Sequence, residues 1–188
     1  MYLKSFPRNG GDTIKTEEGR LWKGMVSRCK SNRPTYADCS MSQNFKDFQY
    51  FAEWCQHQIG FNSIDAEGFK FQLDKDIIFK HNKIYSENNC VFVPRALNSA
   101  FCKSDKTRGD CVIGVSICPR NGTFRATCSD PFTNKKIFLG RHGKETDAFH
   151  AYKIYKETKL KELALYYSGK LDERVINALL NYQVEITD

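Results

Sequence analysis

No run of 18 or more apolar residues occurs in the sequence, so no helix is expected to cross a membrane. Residues 1–11 hold no apolar stretch, which argues against a secretory signal there. None of the eight cysteines (Cys29, Cys39, Cys55, Cys90, Cys102, Cys111, Cys118 and Cys128) stands in a Cys-x-x-Cys pair. That excludes a zinc ribbon, whose paired ligands sit at short spacing. Without a secretory signal a disulfide framework is not expected either, and most of the cysteines read as small buried apolar residues. Internal repeats and low-complexity tracts are also missing.

What the chain does have is an uneven charge. Its 188 residues, 40% of them hydrophobic, suit one ordinary domain or two small ones. The net charge is +7, with residues 1–101 at +3, residues 111–170 at +6 and residues 171–188 at −3. A cationic excess on one short segment is the footprint of a polyanion partner.

Periodicity outlines the elements. Leu21, Trp22, Met25 and Val26 predict a helix over 20–30, stopped by Asn32 to Pro34. Ser42 or Asn44 can cap a second helix, whose stripe Phe45, Phe48, Phe51, Ala52 and Cys55 is expected to be core. Residues 69–79 read as a strand, His81, Asn82 and Lys83 as a turn, and residues 90–93 as a second strand. Pro94 then opens a helix over 95–101, where its missing N–H costs nothing. Residues 102–110 read as a polar linker.

Three strands are expected next, over 111–118, 123–128 and 135–139, with Asn121-Gly122 a strong hairpin signal between the first two. Thr146 can cap a helix over 147–167 that buries Ala148, Tyr152, Tyr155 and Leu163. A last amphipathic piece covers 171–182. Because strand residues alternate in facing, Val115, Ile117, Phe124, Ala126 and Phe138 are expected to point inward. Ser116, Arg125, Thr127, Lys135 and Lys136 are expected outward, with Arg120 near the turn. A small sheet of this kind fits the major groove, where Arg can bond a guanine edge and Lys or Ser can hold phosphates.

The order Ile113-Gly114-Val115-Ser116, Arg120-Asn121-Gly122, Phe124-Arg125-Ala126, Phe138-Leu139-Gly140 and then a helix rich in Ala and Tyr resembles the APETALA-type (ethylene-response-factor) DNA-binding domain over about residues 111–167. The resemblance implies a sheet laid in the major groove of double-stranded DNA with the helix behind it. Ser116 and Cys118 stand where that family has arginines, which implies phosphate-dominated affinity with few base contacts.

A second resemblance lies upstream. Phe71-Gln72-Leu73-Asp74-Lys75-Asp76-Ile77, Ser86-Glu87-Asn88-Asn89-Cys90-Val91-Phe92-Val93-Pro94 and Asn98 are similar to the ββα-metal unit of phage HNH endonucleases, homing enzymes included. It implies Mg2+ or Mn2+ held by Asp74 and the Asn98 carbonyl, since hard oxygen ligands suit such ions, and Asn89 orienting the base or bracing the loop. The family's histidine position carries Lys75, which is protonated at pH 7 and a poor base. Asp76 and His81, in the connecting turn, are the alternative bases.

The sequence therefore predicts an α+β chain: a helical N-terminal module with a ββα unit at 71–101 inside residues 1–101, a linker at 102–110, a three-stranded antiparallel sheet packed on one helix at 111–170, and a helical tail at 171–188. The expected function is a metal-dependent DNA endonuclease or nickase targeted by the C-terminal domain. The alternative is a DNA-binding protein on a nuclease scaffold that no longer cuts, a regulator or accessory factor. The implied setting is a phage-encoded protein, monomer or homodimer, in the cytoplasm of a bacterial host.

Overall fold

A computed structural model describes residues 16–101 and 110–188. The expected linker 102–110, apart from Asp110, and Cys102 lie outside the described residues. The fold is α+β, with five α-helices among the described residues and small sheets that include a three-stranded antiparallel one. The chain forms two compact units. The first reaches Arg95 and includes Lys170–Asp172; the second is Ala96–Gly169 with Glu173–Asp188. No helix of the described residues is long and apolar enough to cross a membrane.

In the first unit, α1 (Glu17–Cys29) starts three residues before the apolar stripe predicts, because Thr16 caps it: its Oγ1 accepts from Gly19 N at 3.1 Å. The aromatic stripe splits between a 3-10 turn at Asn44–Lys46 and α2 (Phe48–Gln56), capped by Asp47. Strands β1 (Ser40–Met41) and β3 (Ile84–Tyr85) pair in parallel. Strands β2 (Gln72–Asp74) and β4 (Val91–Val93) pair antiparallel.

As expected, Phe45, Phe51, Ala52 and Cys55 are buried, while Phe48 of the same stripe is half-buried. Phe45 meets Trp54 edge to face at 4.9 Å, and Trp54 reaches Phe92 of β4 at 6.0 Å. Met25, Phe45, Phe51 and Phe92 belong to one cluster. Each fully buried Phe or Met contributes about 1.5–3 kcal/mol, so this cluster is what holds two-residue and three-residue strands that could not stand alone.

The second unit holds α3 from Ala96 onward (the helix is Arg95–Ala100), then β5 (Val115–Ile117), β6 (Phe124–Ser129), β7 (Lys136–His142), α4 (Glu145–Tyr166) and α5 (Glu173–Leu180). The sheet order is β5-β6-β7. The Asn121-Gly122 signal does make a hairpin, closed by Cys118 N to Thr123 O at 2.8 Å, with Gly122 at φ 65°. Helix α4 begins at Glu145 with no side-chain cap from Lys144. Thr146 therefore lies inside the helix rather than capping it. Glu145 and Asp147 in the first turn suit the helix dipole.

Val115, Ala126 and Ala148 form the heart of this unit, joined by Cys128, Tyr152 and Val184. Tyr155, expected in the core, is half-buried and donates to Asp130 Oδ2 at 3.0 Å. The C-terminal tail folds back on α4: Val184 N donates to Glu157 Oε1 at 2.8 Å, and Lys153 Nζ to Val184 O at 2.5 Å.

Gly114 sets the distance between β5 and α4. Its φ is 76°, and a Cβ there would fall 2.1 Å from the Tyr152 ring. Both the left-handed backbone and the ring demand glycine. Gly114→Ala is expected to destabilise the fold by about 2–4 kcal/mol, read as a lower urea midpoint with an unchanged slope.

Candidate functional site

Register decides which side chains share a face of the three-stranded sheet. Val115 pairs with Ala126 and Ser116 with Arg125 between β5 and β6. Between β6 and β7, Ala126 pairs with Gly140, Arg125 with Arg141, Thr127 with Phe138, and Ser129 with Lys136. The ladder shifts between Ala126 and Thr127. Leu139 is the extra residue, a β-bulge followed by Gly140 at φ 118°.

The bulge puts Phe138 and Arg141, an odd number of residues apart, on the same face. That outer face carries Ser116, Arg125, Thr127, Ser129, Lys136, Phe138 and Arg141. It has three cations and no carboxylate. Val115, Ala126 and Cys128 face the helix and are buried.

Ser116, Arg125, Thr127 and Lys136 therefore sit where alternation places them. Arg120 is exposed in the hairpin turn. Lys135 is exposed but precedes β7, and its carbonyl accepts from Asp130 N at 2.9 Å in the preceding turn. Two inward expectations are corrected. Phe138 is 53% exposed and lies on the outer face, because it stands two residues after Lys136 in unbroken register and so shares its face. Ile117 is also 53% exposed, because β5 ends there and nothing covers the side chain of its last residue.

Arg125 is held over the Phe138 ring, 5.3 Å from its centroid. Arg141, which sequence reasoning missed, lies directly opposite Arg125. Like charges in register destabilise a sheet by about 0.2–1 kcal/mol. Neither arginine has an ion pair with a carboxylate among the described residues. Arg125, Lys136 and Arg141 are all exposed, and α5 packs against α4 rather than over them.

The residues proposed for cutting form a different structure in the first unit. Asp74 closes β2 and is buried. Its Oδ1 accepts from Asp76 N at 2.9 Å and from Ile77 N at 2.8 Å. This turn ends the strand at Asp74, short of the expected residue 79. Lys75 is buried too. Its Nζ lies 3.1 Å from Asp76 Oδ2 and 5.7 Å from the Tyr85 ring centroid.

Asn82 ties the loop together. Its Nδ2 donates to Lys75 O at 2.6 Å and Ile84 O at 2.8 Å. Asn89 braces the same loop, donating to Asn82 Oδ1 at 3.1 Å and Ile84 O at 3.2 Å. His81 is exposed in the turn at φ 65°. Asn98 is on α3, in the second unit. Sequence reasoning missed Arg28 as well, whose Nε donates to the buried Tyr85 hydroxyl at 2.7 Å across 57 residues.

Magnesium takes six oxygens in near-octahedral geometry. Within the first unit the candidate donors are Asp74, with one oxygen holding two N–H groups, and Asp76, which carries the Lys75 ammonium. This donor set does not fit the ion by itself, and no group of three or more His, Cys, Asp or Glu side chains suited to a metal occurs among the described residues. The seven described cysteines are all free, and burial raises the thiol pKa of Cys55 and Cys90.

Burial first, and then the Asp76 charge, push the Asp74 carboxyl up to about 6 from its usual 3.8. In the unfolded chain Asp74 ionises earlier as pH rises. Its contribution to stability is therefore complete below pH 3.8 and lost as pH climbs to about 6. Asp74→Asn keeps the acceptor for both N–H groups. It is expected to stabilise the fold at pH 7 by on the order of 1–3 kcal/mol and to flatten the pH dependence across that window, measured by urea melts at a series of pH values.

No protein-family model, curated protein or solved structure matches this chain.

Proposed function

We propose that this protein binds double-stranded DNA through the outer face of β5-β6-β7. The observation that carries the reading is the in-register pair Arg125 and Arg141 on a face without a carboxylate. Two guanidinium groups set opposite each other cost stability in the free protein and gain it back only against an anion. A three-stranded sheet is of a size for the major groove. Arg125, steadied on Phe138, is placed to reach a guanine edge, while Lys136 and the hydroxyls of Ser116, Thr127 and Ser129 suit phosphates. The setting implied by the likeness of residues 71–101 to phage endonucleases is the cytoplasm of a bacterial host.

A second reading, metal-dependent cutting by an HNH-type endonuclease or nickase, is favoured by one observation: strands β2 and β4 pair and lead straight into α3, with Asp74 buried at the strand end. The donor set described above weighs against it, as does a Lys75 ammonium committed to Asp76.

Duplex binding followed by fluorescence anisotropy across about 50–200 mM salt tests the first reading. Affinity is expected to fall steeply with salt, with a log–log slope of about −0.9 per phosphate contact. The double variant Arg125→Ala with Arg141→Ala is expected to bind more than tenfold more weakly, with the slope reduced by about 2. Salt-independent binding, or no loss in that variant, defeats the reading. Supercoiled plasmid incubated with Mg2+ or Mn2+ tests the second. Nicked or linear product that disappears in Asp74→Ala supports cutting, and an intact plasmid with both ions rejects it.

A further inference from the structure

Besides its three cations, the outer face of β5-β6-β7 holds the hydroxyls of Ser116, Thr127 and Ser129 and a single apolar side chain, Phe138. Few base edges can be read by such a set. Asn and Gln, which pair with adenine in bidentate fashion, are missing from the outward strand positions, and so are the carboxylates that accept from cytosine N4. Asn121 in the hairpin turn has its Oδ1 engaged by Thr123 N at 3.3 Å and by Thr123 Oγ1 at 2.8 Å, which leaves it no bidentate pair. Hydroxyls serve donors and acceptors alike and discriminate little. Two base features remain: the guanine edge, for arginine, and the C5 methyl of a pyrimidine, for an apolar group.

Phe138 is an apolar group in the right place. A single exposed phenylalanine needs no explanation by itself. This one stands between Lys136 and Arg141 along β7 and pairs with Thr127 of β6. It is 53% exposed, so about half of its surface is open to a ligand. The Arg125 guanidinium lies over the ring, 5.3 Å from its centroid. Successive bases along a strand are about 3.4 Å apart. With Arg125 on a guanine, the ring is therefore within about two base steps of it and can reach a pair directly beside that guanine. The apolar group that such a pair offers in the major groove is the thymine methyl. A 5-methylcytosine offers the same group on the same carbon.

We infer that Phe138 is a specificity-determining residue: the preferred duplex carries a pyrimidine C5 methyl, of thymine or of 5-methylcytosine, beside the guanine that Arg125 reads. The inference rests on the sheet reading and adds base specificity to it.

The test is anisotropy of the full chain on synthetic duplexes that differ only in methyl groups. One pair is TG repeats against the same repeats with deoxyuridine for thymine. The other is CG repeats with and without 5-methylcytosine. Burying one methyl changes affinity by about fourfold. The wild type is expected to bind the methylated member of a pair more tightly by about that factor. Its salt slope is expected to stay the same within a pair, because the phosphates are unaltered. A preference in the first pair alone assigns thymine, in the second alone 5-methylcytosine, and in both the methyl wherever it occurs. Phe138→Ala is expected to bind both members of each pair alike. Phe138→Leu, which keeps an apolar group, is expected to keep the preference. Should Phe138→Ala fail to fold, Phe138→Gln takes its place with the same expectation.

Equal affinity of the wild type within both pairs, or a preference that persists in Phe138→Ala, overturns the methyl contact. The Arg125 and Arg141 double variant separates this failure from that of the sheet. If it weakens binding to every duplex, the sheet reading stands without the methyl contact. If it binds like wild type, the sheet reading falls and the methyl contact with it.

Discussion

Leu139 is one residue too many for the ladder between β6 and β7, and the second unit's functional face depends on how that residue is absorbed. A bulge places it against the helix side with Val115 and Ala126, where it joins their cluster. The strand then resumes with its phase reversed. Phe138 before the bulge and Arg141 after it come to the same surface, and Arg141 lines up with Arg125. Without the bulge, one of them would be directed into the core, where a lone guanidinium costs several kcal/mol.

The same constraint explains how the core and the cationic face coexist in so thin a layer. Val115, Ala126 and Ala148 are small or branched, so β5 and β6 approach α4 closely. Gly114 lets Tyr152 lie flat against the strand edge. Asp130 closes the turn between β6 and β7 while anchoring Tyr155 and Lys159 of α4. The acidic group of the β6–β7 turn is thereby turned into scaffold, and the outer surface is left to its arginines, its lysine and its hydroxyls.

The first unit works by a different logic. Its strands are two or three residues long and are held by aromatic packing and by asparagine side chains that replace missing ladder bonds, Asn82 and Asn89 above all. Asp74 acts there as a backbone acceptor, and its neighbour Lys75 neutralises Asp76. Carboxylates placed this way shape a loop. Asp74 is buried in that loop, and the exposed Asp76 pairs with the Lys75 ammonium.

By itself the sequence determined the α-helices and most of the strands (not the short parallel pair Ser40–Met41 and Ile84–Tyr85), the aromatic core of the first unit, the hairpin at Asn121-Gly122 and the outward position of Ser116, Arg125, Thr127 and Lys136. These follow from local periodicity and turn chemistry, which act over a few residues. Only the tertiary structure decided the pairing of Arg141 with Arg125, the bond from Arg28 to Tyr85 and the place of Arg125 over the Phe138 ring. Each of these depends on residues brought together from distant parts of the chain or on a register shift. Neither leaves a mark on the spacing of apolar and polar residues along the sequence.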